Sequence, residues 1–181
     1  LEKLNVARFK VGSGDTSNLL LLKRLGKTRK PILLSSGMSS FDELETSIAF
    51  LREFGNPLII MQCTSKYPTD PKDWGLNVIQ ELKNRFELPV GFSDHSGTIY
   101  ACLAAAVMGA EVFEFHVVFD KRQFGPDVSS SITINQVKTL TDGIKTIQTA
   151  MNNPINKDNI HQFEDLKKMF GKSLSVNKNK K

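Results

Sequence analysis

PILLSSGMSSFDELETSIAFLREFGNPLIIMQC, residues 31–63, decides the fold because it holds one whole strand–helix–strand unit. Pro31 to Ser35 and Pro57 to Cys63 are short Ile- and Leu-rich runs without polar alternation, the pattern of strands buried on both faces. Between them Leu44, Ile48 and Leu51 share one face at helical spacing, which predicts a helix over Ser40 to Phe54. Ser39 and Ser40 are its N-cap candidates, and Asp42 and Glu43 bring negative charge to the first turn. Gly55, with Pro57 close behind, stops it.

The same alternation continues in both directions. Further strands are expected at Ala7 to Val11, Leu88 to Phe92 and Glu111 to Val118, and helices over Asn18 to Leu25, Leu76 to Phe86 and Thr98 to Met108. A last helix, Ile134 to Met151, follows a loop containing Gly125-Pro126. Five βα units result, which calls for parallel strands joined by right-handed crossovers. Two α/β architectures accommodate them: an open doubly wound sheet, or part of an eight-unit barrel, for which ~250 residues are typical. Length alone, 181 residues, favours the open sheet.

With 40% hydrophobic and 24% charged residues the composition is that of a globular chain folded around one core. The opening Leu1-Glu2-Lys3-Leu4 reads as the end of a helix, and the chain as a segment of a longer one. Two cysteines, Cys63 and Cys102, are too few for a disulfide scaffold, and their apolar flanks read as inert burial in a reducing compartment. No apolar run reaches the ~18 residues of a membrane span and no signal peptide is recognisable, so a soluble, cytoplasmic protein is expected. The net charge of +5 sits largely in Lys23-Arg24, Lys27 to Lys30 and Lys172 to Lys181, without interleaved aromatics. That distribution reads as solvated surface and a polar tail rather than a nucleic-acid face, and it leaves an anionic small substrate open.

Polar residues gather where each strand ends. They are Lys10, Ser13 and Asp15 after the first, Ser35-Ser36-Gly37 after the second, and Cys63 to Tyr67 after the third. Ser93-Asp94-His95 follows the fourth, and Glu114 and His116 lie in the fifth, with Asp127 in the loop beyond. In parallel α/β folds these ends face one side, where sites are built. Glu114 and His116 alternate, so they project together while Phe115 points away. His95 and His116, with Asp94, Glu114 and Asp127 nearby, form either an open divalent-metal site or a pair of hydrogen-bonded structural histidines. Gly12-Ser13-Gly14 beside Lys10, and Ser35-Ser36-Gly37 one unit later, either bring backbone N–H groups to an anion or merely turn the chain. The third glycine of a dinucleotide fingerprint is missing and no Gly-Lys-Ser/Thr element occurs, which disfavours nicotinamide or ATP. Tyr67, before Pro68, reads as a packed loop aromatic, and His161 as an exposed residue.

Taken together, Phe9 to Asp15, Leu34 to Met38, Gln62 to Pro68, Gly91 to His95, and Phe113 to His116 followed by Gly125-Pro126-Asp127 resemble the sialic acid synthase (N-acetylneuraminate synthase) family in order and spacing. The resemblance covers about residues 5 to 150, and Phe170-Gly171-Lys172-Ser173-Leu174 looks like the entry to that family's C-terminal antifreeze-like domain. It implies a partial (β/α)8 TIM barrel over residues 1–152, strands four to eight, and a linker over 153–181. The implied reaction condenses phosphoenolpyruvate with N-acetylmannosamine, or a related acetamido sugar, into a nonulosonic (sialic-type) acid and phosphate.

By the same resemblance His95 and His116 are the metal ligands, for manganese or magnesium, and Lys10, Ser13, Ser35 and Ser65 contact phosphoenolpyruvate. Tyr67, Glu114 and Asp127 hold the acceptor sugar, and Lys10, Glu114 and His116 are the catalytic set. The chemistry implied is metal-assisted attack of the enol carbon on the open-chain aldehyde, with phosphate leaving by C–O cleavage. The chain departs from the family at Ser65, where some members carry asparagine, at Asp15, often glutamate, and at Phe115, often arginine or lysine. Full-length members are typically homodimers, and the segment alone is expected to be inactive. Two other readings compete: a metal-dependent aldolase on the same barrel, or a truncated product that retains anion binding only.

Overall fold

The computed structural model describes residues 5–172; the helix end read at Leu1 to Leu4 and the motif residues Ser173 and Leu174 lie outside them. The chain divides into two compact units, Leu1–Met151 and Asn152–Lys181. The first carries six strands, β1 (Phe9–Val11), β2 (Ile32–Ser35), β3 (Leu58–Cys63), β4 (Val90–Asp94), β5 (Phe113–Val118) and β6 (Ser131–Thr133). Between and after them run α1 (Leu19–Gly26), α2 (Phe41–Arg52), α3 (Leu76–Phe86), α4 (Tyr100–Val107) and α5 (Ile134–Met151). In the second unit a 3-10 turn, His161–Phe163, leads into α6 (Glu164–Phe170). None of the described helices is long and apolar enough to cross a membrane.

All strand pairs are parallel, and their order in the sheet, β1-β2-β3-β4-β5-β6, is their order in the chain. A doubly wound sheet reverses direction at a switch point, whereas a barrel sheet adds each strand to the same side. This sheet never reverses, which removes the open doubly wound alternative that length had favoured. Curvature is equally plain. In a flat sheet β1 and β5 would stand about 19 Å apart, at ~4.8 Å per neighbour. Yet Lys10 on β1 and Glu114 on β5 form a direct ion pair across the inner face. The strands therefore curl into part of a barrel.

The expected five units become six strands. β6 is only three residues, Ser-Ile-Thr, and runs straight into α5, so it offers no periodicity to read. Its partner is β5, through His116 opposite Ser131.

The core lies between the sheet and the helices. Register places Val11, Leu34, Ile60 and Val90 level with one another, facing outward from the barrel. They meet Leu22 of α1, Leu44, Ile48 and Leu51 of α2, and Ile79 and Leu82 of α3, all fully buried. α4 presents Ala101, Ala105 and Ala106 there, small side chains that let the helix lie close to the sheet. Of the two N-cap candidates for α2, Ser40 is used. Its hydroxyl accepts from the Glu43 N–H at 3.3 Å while the Glu43 carboxylate accepts from the Ser40 N–H at 2.7 Å.

Candidate active site

Because the strands are parallel, every strand-to-helix loop opens on one edge of the sheet, and alternation decides which side chains look into the barrel. Register puts Lys10 level with Leu33 and Ile59, and Ser35 level with Met61 and Gly91. Cys63, Ser93 and Glu114 form the next inward layer. His95, two residues beyond Ser93, and His116, two beyond Glu114, continue this face to the mouth.

Two clusters form there. In the first, Ser13 and Ser35 hydrogen-bond through their hydroxyls at 2.8 Å, and the Ser13 hydroxyl donates to the Cys63 sulfur at 3.7 Å. Gly37 closes this group from above. A methyl group on it would lie 2.5 Å from the Ser13 and Ser65 hydroxyls and 2.9 Å from the Cys63 sulfur. Only glycine leaves room for three side chains to converge on the backbone here. Thr16, fully buried, donates to the Ser35 carbonyl at 2.7 Å and ties the Ser13 turn to the end of β2.

The second cluster is aromatic. The His95 and His116 rings lie 5.3 Å apart, centre to centre. Tyr67, half-exposed, stacks on His95 at 4.1 Å and meets His116 edge-on at 5.7 Å. It is thus a lid over both imidazoles rather than the packed loop aromatic its sequence context indicated. His95 Nδ1 is 3.1 Å from the Thr64 carbonyl, and His116 Nδ1 is 3.8 Å from the Asp127 carboxylate. His116 and Asp127 also line a 290 Å³ cleft with Phe124 and Gly125 between β5 and β6.

Cys63 joins the clusters, with its sulfur 4.0 Å from His95 Nδ1. Burial pushes its thiol up, but the hydrogen bonds of His95, Ser13 and Ser35 outweigh that and bring it down to about 7. His95 is in turn held above the usual imidazole value: burial lowers it, and the Cys63 contact, the Thr64 carbonyl and the Asp94 charge more than compensate. The reading of Cys63 as inert therefore needs correction. It is buried, yet its neighbours are polar groups of the mouth, brought there from distant sequence. Cys102 does match the inert reading, since burial first and the nearby Asp94 second push its thiol well up.

Asp94 does not stand with the histidines. It lies level with Phe115 on the helix side of the sheet, where Ser96 donates to it from N (2.8 Å) and Oγ (3.0 Å). Burial holds this carboxyl above its ordinary value against those bonds. Alternation already contained the signal, since a residue between inward Ser93 and inward His95 must face outward. Ser93, buried between Cys63 and Glu114, is an inward hydroxyl that the sequence placed at its strand end without giving it a site role. Asp15 sits in the turn after β1, where it accepts from Asn18 at 3.1 Å, and His161, in the second unit, contacts Glu164 at 2.9 Å.

His95 Nδ1 is at hydrogen-bond distance from the Thr64 carbonyl, which leaves its Nε2 lone pair for a cation, whereas His116 Nδ1 stands 3.8 Å from the Asp127 carboxylate, beyond hydrogen-bond reach. Among the described residues no group of three or more His, Cys, Asp or Glu side chains could hold a metal ion. The two imidazoles thus stand as a pair and not as part of a larger cluster of such groups among the described residues. A larger cleft, 610 Å³, lies elsewhere, at the N-terminal edge of the strands. It is lined by Phe9, Leu20, Lys23, Arg24, Lys27, Thr28 and Lys30, a set with no imidazole or carboxylate.

Comparison with known proteins converges on one group. Residues 1–156 match the model of the NeuB family. The chain is 38% identical over 160 residues to N,N'-diacetyllegionaminic acid synthase of Campylobacter jejuni, covering 87% of this chain and 48% of that one. It is 36% identical over 155 residues to N-acetylneuraminate-9-phosphate synthase of Homo sapiens, covering 85% and 43%. The N-acetylneuraminic acid (sialic acid) synthetase of Leptospira borgpetersenii, solved with citrate, superposes with a TM-score of 0.85 at 27% identity, over 96% of this chain and 61% of that one. The chain thus spans about half the length of the curated relatives it matches.

Proposed function

Since this chain belongs to the NeuB family of sialic acid synthases, we propose that it forms part of an enzyme condensing phosphoenolpyruvate with N-acetylmannosamine, or a related acetamido sugar, to a nonulosonic acid and phosphate. The observation that carries this reading is the juxtaposition at one barrel mouth of two imidazoles 5.3 Å apart and a serine cradle closed by Gly37. Lys10, Ser13, Ser35 and Ser65 receive phosphoenolpyruvate: the ammonium offsets its negative charge, and the hydroxyls donate to its oxygens. Tyr67, Glu114 and Asp127 hold the acceptor sugar, Tyr67 by its exposed ring and the carboxylates by accepting from sugar hydroxyls. The Lys10–Glu114 pair joins the two half-sites, so charge on one substrate is felt by the group that binds the other.

His95 and His116 would be the residues to hold a divalent cation, manganese or magnesium. When bound, that cation supplies Lewis-acid polarisation of a carbonyl oxygen. In the reaction the enol carbon forms the new C–C bond with the sugar's aldehyde carbon, water adds at C2, and phosphate leaves with C–O cleavage. Lys10 stabilises the negative charge of the departing phosphate, within a mouth that Tyr67 partly shields from water. Residues 1–152 then constitute the catalytic part and 153–181 a linker, in a cytoplasmic enzyme whose full-length form is a homodimer.

The test is stoichiometry. The full-length protein with manganese, phosphoenolpyruvate and N-acetylmannosamine is expected to release one phosphate for each 2-keto acid formed. Product made from a pyruvate-type donor without phosphate release would replace this reading with that of an aldolase.

A further inference from the structure

We propose that Lys121 is a positioning residue for the acceptor half of the mouth, latching the loop that carries Asp127 to the loop that follows His95. Its ammonium donates to three backbone carbonyls: Gly97 at 3.3 Å, Val128 at 3.3 Å, and Ser131. An ammonium has three N–H donors and no acceptor, so these three carbonyls, one from the loop after His95 and two from the Asp127 turn, satisfy it completely. The segments are those that matter. Gly97 lies two residues after His95, Val128 follows Asp127, and Ser131 begins β6 opposite His116.

The loops meet backbone to backbone at this point. Gly97 has a left-handed φ of +68°, and a methyl group on it would stand 2.1 Å from the Ser129 carbonyl oxygen. Nothing but glycine permits that approach, and the Lys121 ammonium lies only 3.2 Å from the same point. The Asp127 turn is itself compact: its carbonyl accepts from Ser131 Oγ at 2.7 Å and from Ser130 N at 3.1 Å. Lys121 braces this turn from outside by its bonds to Val128 and Ser131, and sets where Asp127 stands relative to His116. None of the three carbonyls belongs to Lys10, Ser13, Ser35 or Ser65, the phosphoenolpyruvate groups.

The inference rests on the reading of Asp127 as an acceptor-sugar contact, and it is tested in the full-length enzyme with Lys121→Met and Lys121→Arg. In K121M the KM for N-acetylmannosamine is expected to rise about tenfold, the equivalent of a lost charge-assisted bond, while that for phosphoenolpyruvate stays within about twofold. K121R, whose fork offers several N–H donors, is expected to recover most of the loss. Hydrogen exchange at the Ser130 and Ser131 amides is expected to accelerate in K121M and not in K121R, with α5 unchanged. A parallel rise of both KM values, or unaltered exchange at those two amides, overturns the latch. If the wild-type enzyme forms no product, the functional reading fails and the exchange measurement alone decides the latch.

Discussion

Gly37→Ala puts the serine cradle to a sharp test. The added methyl would lie 2.5 Å from the Ser13 and Ser65 hydroxyls, against about 3.4 Å for ordinary contact, so each oxygen must retreat by roughly 0.9 Å. Gly37 has no left-handed φ, so the methyl's bulk is the whole perturbation. A retreat of that size breaks the 2.8 Å Ser13–Ser35 bond and turns the Ser13 hydroxyl away from the mouth. A hydrogen bond to a charged ligand is worth about 1.5–3 kcal/mol, so the KM for phosphoenolpyruvate should rise roughly 10- to 100-fold, with a smaller effect on the sugar. Phosphate release measured against phosphoenolpyruvate at saturating sugar reads this directly. Gly12→Ala is the control, because nothing lies within 4 Å of a methyl there. Equal KM values for G37A and the wild type, or an equal rise in G12A, would refute the cradle.

Three further outcomes follow from the site. In metal-free protein the thiolate fraction of Cys63, whose thiol is brought down to about 7, grows from pH 6 to pH 8; iodoacetamide labelling should rise over that window and level off, while Cys102 stays unlabelled. Labelling of Cys63 that still climbs steeply at pH 9 would show that the His95 and serine contacts do not act on it. Glu114→Gln removes the carboxylate paired with Lys10, so the KM for the sugar should rise several-fold while that for phosphoenolpyruvate stays level or falls; a rise in both would assign Glu114 elsewhere. His116→Ala in the full-length enzyme should weaken manganese binding at least about 100-fold by calorimetry, and full activity in that variant would remove the metal role.

Helices α1 to α5 and five strands were legible because their apolar spacing is set by burial against one another, whereas α6, exposed throughout, falls where a linker was expected. α3 over Leu76–Phe86 and α5 over Ile134–Met151 end where periodicity ends them. β6 was not legible, since three residues cannot display a period and its strand character comes only from pairing with β5. The choice between open sheet and barrel could not come from periodicity or length either. Both architectures use the same βα unit, and they differ in strand order and curvature, which motif resemblance anticipated and the Lys10–Glu114 contact makes physical. In the site, strand-end position and alternation sufficed to bring His95, His116 and Glu114 to one face. Applied more strictly, alternation would also have sent Asp94 to the helix side and kept Ser93 and Cys63 in the mouth. Lys121 gave no signal, because its partners are carbonyls, and backbone leaves no mark in composition.

The central claim is that one barrel mouth unites a two-imidazole cation site with a serine and lysine anion cradle. Electron density of the full-length protein crystallised with manganese and phosphoenolpyruvate tests it most directly. Manganese is expected at the imidazoles of His95 and His116, with phosphoenolpyruvate beside Lys10, Ser13 and Ser35. Phosphoenolpyruvate lodged instead in the basic cleft of Lys23, Lys27 and Lys30, or a cation bound away from both imidazoles, would contradict it.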